Sequence, residues 1–279
     1  MLPVPDTLMF DVRRALDEDI RTGDVTAALL PEDQWVDGVI ISREPMVICG
    51  RPWVDAVFSS IDASIEVQWL VDEGAWLDKP STLCRIHGKA RSILTAERTA
   101  LNFMQTLSAT ATQTREYVQA LQGYKTRLLD TRKTLPGLRL AQKYAVSCAG
   151  GVNHRLGLHD AFLIKENHIA ACGSIREAIA RARSENLHLL VEVEVENLEQ
   201  LQEALEAKPD RIMLDNFTLP LLHSAVAMTQ SRCELEASGG IDLSSLAQVA
   251  QTGVDYVSVG AITKSIRAID LSLLLQGAS

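Results

Sequence analysis

The sequence has no excess of positive charge and no long apolar run. Its 279 residues include 27 Lys and Arg against 36 Asp and Glu, which gives a formal net charge of −9. A chain this acidic is a poor partner for nucleic acid or for an anionic membrane surface. No apolar stretch approaches about 18 residues, the length that spans a bilayer. We therefore expect a protein that binds neither nucleic acid nor membranes.

Cysteines are few, and they form no recognisable framework. The five cysteines are an odd number, lie far apart and include no Cys-x-x-Cys pair. A disulfide scaffold or a zinc site is therefore not expected, and reduced thiols are typical of a cytosolic protein. The opening residues also lack the basic and apolar regions of a signal peptide. Together these absences predict a cytoplasmic location.

The remaining composition is that of a folded globular chain. Aromatic residues make up only 5%, but apolar residues make up 47% and charged residues 23%. These proportions exclude wholesale disorder. The length suits two ordinary domains, or one α/β barrel of about 250 residues with an appendage.

The pattern of apolar residues changes near Gly123. Before it, short β-like runs are separated by turns, and a long helical stretch covers residues 92–122. After it, strands and helices alternate. The predicted strands are Arg127–Asp130, Ala161–Lys165, Leu189–Glu194, Arg211–Asp215, Glu234–Ala237 and Tyr256–Val259. Repeated β-then-α units indicate a parallel sheet with right-handed crossovers. Six such units favour a closed or nearly closed barrel, and an open sheet remains the alternative.

Positive charge is concentrated between Lys125 and Glu166. This window holds eight Lys or Arg against three acids, a net charge of +5, which leaves −14 for the rest of the chain. A local cationic cluster in an acidic protein suggests a site for a small, highly charged anion.

Polar residues and glycines follow each predicted strand. In α/β barrels the active site is built at the carboxyl ends of the strands, and glycine loops before helices bind phosphate. The candidates at these ends, in the Gly-rich connection before Ala161 and one turn after the last strand are Thr131, Arg132, Lys133, His154, Arg155, Lys165, Glu194, Asp215, Ser238, Gly239, Gly240, Gly260, Ala261 and Lys264. Brought together, they would form a cationic half, a pair of carboxylates and two phosphate-binding loops.

Ordinary structural roles remain open for these residues. Arg132 and Lys133 could form a solvated turn, and Lys165 could pair with Glu166. The three glutamates of the run 191–196 share one strand face, and any of them could pair with a core cation.

Several longer motifs occur in a characteristic order. They are Asp19–Thr26, Ala96–Phe103, Asp130–Thr134, Asn153–Leu158, Asp160–His168, Glu192–Asn197, Met213–Phe217 and Ser258–Ala261. In these motifs the sequence resembles the quinolinate phosphoribosyltransferase family. It departs from many members at Ala109 and Ala149, where glycine is common, and we expect only local packing changes there.

The resemblance implies an architecture and an assembly. An N-terminal α/β sandwich domain would cover residues 1–105, and an incomplete, seven-stranded α/β barrel would cover residues 106–265. The C-terminal segment 266–279 would pack with the N-terminal domain. The resemblance also implies a homodimer in which Arg98 reaches into the partner subunit's active site. The sequence pattern alone makes Arg98 an ordinary cation on a helix surface.

The resemblance further implies a reaction. The family transfers phosphoribosyl from 5-phosphoribosyl 1-pyrophosphate to quinolinate with decarboxylation, which gives nicotinate mononucleotide, CO2 and pyrophosphate in de novo NAD biosynthesis. The implied quinolinate ligands are Arg98, Thr131, Arg132, His154, Arg155 and Lys165. The implied ligands of the phosphoribosyl donor are Lys133, Glu194, Asp215, Ser238, Gly239, Gly240, Val259, Gly260, Ala261 and Lys264. Lys133, Glu194 and Asp215 would be catalytic, and the last two would hold Mg2+ directly or through water.

Three other functions fit parts of the pattern. A phosphoribosyltransferase-like protein of a molybdenum-transport operon would share the fold with a different substrate. A Schiff-base aldolase would use Lys165 as its nucleophile. A non-catalytic metabolite-binding or scaffold protein would need only the anion site.

Overall fold

The computed structural model describes residues 2–276 and divides them into two compact units. The first unit contains residues 2–115, 135–150 and 265–276, and the second contains residues 116–134 and 151–264. No helix within the described residues is long and apolar enough to cross a membrane.

The first unit is built on antiparallel strands. Its elements are α1 (Leu8–Ile20), β1 (Trp35–Ser42), β2 (Met46–Val47), α2 (Arg51–Ile61), β3 (Glu66–Trp69), β4 (Trp76–Leu77), β5 (Ser81–Lys89), most of α3 (Ala90–Ala120), α4 (Arg139–Cys148) and β12 (Leu271–Gln276). One sheet has the order β12-β1-β5-β3, and β2 pairs with β4.

Alternation along β1 explains how this sheet covers its core. Val36 and Ile40 are buried and Trp35 is exposed, as a strand with one solvated face requires. Ile40 is opposite Cys84 on β5 and Leu273 on β12. The edge strand β12 lies in the C-terminal segment 266–279, whose residues 277–279 are outside the described part of the chain.

The long helix α3 was expected over residues 92–122 and is observed over Ala90–Ala120. Its buried face includes Ile93, Leu101 and Met104, all without solvent exposure. Arg98 lies on the exposed face, with 58% of its side chain accessible and Glu97 Oε1 3.8 Å from its Nη2.

The second unit contains the parallel sheet. Its elements are β6 (Arg127–Leu129), β7 (Ala161–Ile164), α5 (Glu166–Cys172), α6 (Ile175–Glu185), β8 (Leu190–Val195), α7 (Leu198–Ala207), β9 (Arg211–Asp215), α8 (Leu219–Thr229), β10 (Glu234–Ser238), α9 (Leu243–Gln251), β11 (Tyr256–Ser258) and α10 (Ala261–Lys264). The strand order is β6-β11-β10-β9-β8-β7, with every pair parallel. The predicted α/β class is confirmed, and all six predicted strands are present within one residue at each end.

Two features of this unit differ from the sequence-based prediction. The sequence pattern predicts no helix directly after the strand that ends at Lys165, but Glu166–Cys172 form α5, and Gly173 follows it with a φ of +103°. Val152 was assigned to a Gly-rich connection, but it forms an isolated parallel bridge with Leu129. Asp130 N–H donates to Val152 O at 3.1 Å, so this one residue extends the sheet beyond β6.

Side-chain caps fix the helices that follow the strands. Asn197 accepts a hydrogen bond from Gln200 N–H directly after β8, and Asp242 accepts from Ser244 N–H and Ser245 N–H at the start of α9. Such caps satisfy backbone N–H groups that have no partner inside a helix. They hold the short loops at the carboxyl ends of the strands, where the predicted site residues lie.

Candidate active site

A cavity of about 220 Å³ lies in the second unit at the carboxyl ends of its parallel strands. Its lining residues are Thr131, Arg132, Lys133, His154, Arg155, Leu163, Lys165, Glu194, Met213, Asp215, Glu236, Ser238 and Ser258. Nine of these were predicted from the sequence as site residues. A second cavity, of about 270 Å³, lies in the first unit near Arg14 and Asn102 and contains none of the predicted site residues.

Two guanidinium groups in the cavity carry charge that the protein does not balance directly. Among the described residues, neither Arg132 nor Arg155 forms an ion pair with a carboxylate. Burial lowers the pKa of Arg155, and the nearby charge of Arg132 lowers it further. Arg132 Nε is buried, and it has no hydrogen-bond partner within residues 2–276. Both side chains are half-buried, and cations that are partly removed from water without a carboxylate partner are costly, so this cavity favours an anionic ligand.

The loop that carries Arg155 is held by two aspartates. Asp130, at the end of β6, accepts His154 N–H at 2.8 Å. Asp160, just before β7, accepts the N–H groups of Leu156 at 2.7 Å and Gly157 at 3.0 Å. These bonds replace the regular ladder that a loop lacks, and they fix the backbone on both sides of Arg155.

Lys165 forms an ion pair with Glu194, which lies on the neighbouring strand. The alternative partner, Glu166, instead accepts a hydrogen bond from Asn167 Nδ2 at 2.8 Å. Lys165 keeps 41% of its side chain exposed and Glu194 keeps 10%. A lysine assigned to one substrate and a glutamate assigned to the other therefore meet in the cavity.

Glycine is required where the loops after β9 and β10 meet. Gly239 has a φ of +102°, and a Cβ there would lie 2.2 Å from Asn216 Oδ1. Asn216 N–H donates to Ser238 O at 2.9 Å, which ties the two loops together. After β11, a Cβ at Gly260 would lie 3.1 Å from Lys133 Cδ.

Six predicted phosphate-site residues are near the cavity in sequence but do not line it. They are Gly239, Gly240, Val259, Gly260, Ala261 and Lys264. Thr263 Oγ1 donates to Lys133 O at 2.7 Å, so the segment after β11 supports the cationic loop. Arg98 lies in the first unit and does not line the cavity either.

Glu194 and Asp215 provide the oxygen donors that Mg2+ prefers. They end neighbouring strands, and both line the cavity. Within residues 2–276, neither belongs to a cluster of three potential metal ligands. Two carboxylates suit Mg2+, which usually keeps several waters and takes further oxygens from a phosphate substrate. The donor set therefore fits this ion, with water and substrate oxygens completing its coordination.

A second, deeper polar group lies on the same sheet face. Glu192, Glu236 and Arg211 are buried, and His154 contacts both glutamates. Neither Glu236 nor Arg211 is among the site residues that the sequence predicts. Period-two spacing in β10, which places Glu236 on the same face as Ser238, was the available signal.

The burial of Glu236 predicts a pH-dependent stability. Burial first, and then the charge of Glu192, raise its pKa to about 8 from the ordinary 4.5. Between these values the folded chain holds a proton that the unfolded chain has released, so the free energy of unfolding falls as pH rises. We expect wild-type Tm to fall by roughly 5 °C more than that of Glu236→Gln between pH 5 and pH 8. Parallel Tm curves in thermal melts would contradict this.

Comparisons with known proteins agree over nearly the whole chain. The family described as quinolinate phosphoribosyl transferase matches residues 24–108 with its N-terminal domain and residues 110–274 with its C-terminal domain. A nicotinate-nucleotide pyrophosphorylase (carboxylating) from Mycobacterium leprae is 45% identical over 272 residues, covering 94% of this chain and 95% of its own length. A probable nicotinate-nucleotide pyrophosphorylase (carboxylating) from Bacillus subtilis is 41% identical over 257 residues, covering 92% of this chain and 89% of its own length.

A solved structure shows the same fold. The nicotinate-nucleotide pyrophosphorylase from Francisella tularensis superposes with a TM-score of 0.96 and 49% identity, and the similarity covers 98% of each chain. With both family domains matched in order and the parallel-strand cavity in place, the chain belongs to the quinolinate phosphoribosyl transferase family.

Proposed function

We propose that this chain transfers phosphoribosyl from 5-phosphoribosyl 1-pyrophosphate to quinolinate and releases CO2 and pyrophosphate, forming nicotinate mononucleotide for NAD biosynthesis. The observation that carries the proposal is the pair of guanidinium groups, Arg132 and Arg155, that share one cavity without carboxylate partners. Quinolinate is a planar dianion, and its carboxylates match the planar fork of a guanidinium.

The acceptor site would use the cationic half of the cavity. Arg132 and Arg155 would bind the two carboxylates, and Lys165 would exchange part of its contact with Glu194 for the ligand. Thr131 and His154 would line the same pocket. Each charge-assisted contact holds the pyridine ring at a fixed angle, which orients its nitrogen toward the sugar.

The donor site would use the carboxylate half. Lys133 would face the pyrophosphate, while Ser238 and the loops at 239–240 and 259–261, with Lys264, would cradle phosphate oxygens through backbone N–H groups. Mg2+, held by Glu194 and Asp215 directly or through water, would add positive charge at the leaving pyrophosphate.

The chemistry needs no side-chain nucleophile. The pyridine nitrogen attacks the anomeric carbon as the pyrophosphate leaves, and positive charge develops on the ribose. Glu194 and Asp215 would stabilise that charge, and Lys133 would stabilise the leaving group. Once alkylated, the ring nitrogen is cationic and stabilises the electron pair left on the neighbouring ring carbon when its carboxylate departs as CO2. That carbon then takes up a proton from water, which gives nicotinate mononucleotide.

The same proposal includes the incomplete, seven-stranded barrel that the family resemblance implies. The bridge at Val152 would be the seventh position of an incomplete barrel, beside β6. The division at residues 105 and 106 remains a prediction. The five cysteines are all free, which supports the predicted cytoplasmic location.

We propose that the enzyme is a homodimer and that Arg98 completes the partner subunit's site. Val25 and Leu29 are 84% and 83% exposed. The loop that carries them is tied to the Arg98 helix, because Thr95 Oγ1 donates to Asp24 Oδ2 at 2.9 Å. Exposed apolar side chains on a loop that is tied to the helix of the exposed Arg98 support an interface at this edge of the first unit.

Mixing two inactive variants tests this assembly. Arg98→Ala and Arg155→Ala should each be nearly inactive, but random heterodimers would contain one intact site in two. A one-to-one mixture should therefore recover about a quarter of wild-type activity. A mixture of Arg132→Ala with Arg155→Ala is the matched control and should recover nothing. Full activity from a strictly monomeric enzyme would contradict the shared site.

The activity itself is tested by incubation with quinolinate, 5-phosphoribosyl 1-pyrophosphate and Mg2+. We expect CO2, pyrophosphate and nicotinate mononucleotide in equal amounts, no product with nicotinate as the acceptor and loss of activity with a chelator. Product from nicotinate alone would indicate a different acceptor. Borohydride trapping of a carbonyl substrate on Lys165 would instead support the aldolase alternative.

A further inference from the structure

Two buried glutamates contact the same imidazole, and one of them, Glu236, also lines the cavity. Glu192 is 1% exposed and Glu236 is fully buried. His154 Nε2 lies 2.8 Å from Glu192 Oε2 and 3.5 Å from Glu236 Oε2. Two facing lone pairs would repel at 2.8 Å, so this short distance places a proton between Nε2 and the Glu192 carboxyl.

The other ring nitrogen of His154, Nδ1, faces the backbone of the next residue, Arg155, which belongs to the proposed acceptor site. Arg155 N–H donates to His154 Nδ1 at 2.7 Å. A nitrogen that accepts a hydrogen bond holds a lone pair, so Nδ1 is unprotonated. The two contacts together assign His154 the neutral form with its proton on Nε2.

One cation lies close to these glutamates. Arg211 is on β9, between the strand that carries Glu192 and the strand that carries Glu236. Arg211 Nη1 lies 3.7 Å from Glu236 Oε2, and its guanidinium stacks 4.1 Å from the ring of Tyr256. Burying carboxylates without a benefit would be costly, so their position under one histidine indicates a use.

We propose that Glu192, with Glu236 behind it, is a positioning residue that sets the tautomer and ring orientation of His154. Through Nδ1, His154 fixes the backbone of Arg155, and this presents the guanidinium to the acceptor dicarboxylate. The inference deepens the proposed function, because it makes acceptor binding depend on a residue that touches no substrate. The donor half of the site lies outside this relay.

The test compares three variants of the full-length enzyme. Glu192→Leu removes the acceptor for Nε2–H at similar size. Glu192→Gln keeps an oxygen that can accept that proton. Glu234→Gln is the matched control, because Glu234 pairs with Arg211 Nη2 at 3.2 Å from the same strand as Glu236 and has no contact with His154.

The kinetic readout separates the two substrates. Loss of a buried hydrogen bond to a charged group should raise the quinolinate KM of Glu192→Leu by about 10- to 100-fold. The KM for the phosphoribosyl donor should change less than about 3-fold, since that half does not use His154. Glu192→Gln should recover most of the loss, and Glu234→Gln should resemble wild type. Equal increases in both KM values, or no change in Glu192→Leu, would overturn the proposal.

The second readout does not depend on turnover. The ¹⁵N spectrum of histidine-labelled enzyme, with the His154 signal assigned from a His154→Asn spectrum, should show the Nε2–H tautomer in wild type and in Glu192→Gln. Glu192→Leu should show a mixture. A wild-type Nδ1–H or doubly protonated ring would overturn the relay even if the enzyme is fully active. The expected tautomer in a chain that fails to convert quinolinate would instead refute the proposed function alone. If Glu192→Leu does not fold, wild type and Glu192→Gln decide the outcome.

Discussion

Replacing Arg155 with alanine should lower kcat/KM for quinolinate by about 10²–10⁴-fold. Arg155 shares its cavity with Arg132 and has no carboxylate partner among the described residues, so its charge is available to the ligand. A bidentate contact contains two hydrogen bonds to charged groups, each worth about 1.5–3 kcal/mol. Losing both therefore costs about 3–6 kcal/mol, which corresponds to the expected decrease of about 10²–10⁴-fold in kcat/KM.

The measurement is steady-state kinetics at saturating phosphoribosyl donor, together with calorimetric binding of quinolinate. Arg155→Lys keeps the charge but loses the planar fork, so it should fall between wild type and Arg155→Ala. Arg176→Ala is the control, because that arginine is 66% exposed and pairs with Glu206 at the surface. Wild-type kinetics in Arg155→Ala and Arg132→Ala would exclude this acceptor pocket.

Strand positions in the second unit were predictable because local pattern determines them. Each buried parallel strand is a short apolar run between polar ends, so β9 was predicted with the bounds Arg211–Asp215 that the structure shows. Val152 could not be predicted in this way, because a one-residue bridge leaves no periodic pattern. Helix α5 was missed for a related reason, since its seven residues span only about two turns.

The site residues were predictable only where a charged or polar residue lies directly at the carboxyl end of a predicted strand. Arg132, Glu194 and Asp215 were identified on that rule, and all three line one cavity. The partner of Lys165 was not predictable, because three glutamates of the run 191–196 share one strand face, and the register between β7 and β8 decides which of them meets Lys165. Glu236 was missed because the two acids of β10, Glu234 and Glu236, alternate with apolar residues, and this pattern is the same whether an acid faces solvent or a buried histidine.

Replacing Glu194 with glutamine should lower kcat by about 10²–10³-fold, the scale seen when one preorganised electrostatic group is removed from a transition state. The change removes a charge that, in the proposed reaction, would face the developing positive sugar, and it also frees Lys165 from its ion pair. Asp215→Asn, on the neighbouring strand, should act in the same direction. Both should raise the Mg2+ concentration needed for half-maximal activity, because each loses one hard oxygen donor.

The sign of the binding change distinguishes this half of the cavity from the cationic half. Removing a negative charge beside a dianion's site should leave quinolinate affinity unchanged or make it tighter, whereas Arg155→Ala should weaken it. Calorimetry on the two variants tests that contrast. Glu196→Gln is the control, because Glu196 is exposed just beyond the end of β8 and does not line the cavity. If Glu194→Gln weakened quinolinate binding as strongly as Arg155→Ala and left the Mg2+ requirement unchanged, Glu194 would belong to the acceptor pocket, and the division of the cavity into acceptor and donor halves would be wrong.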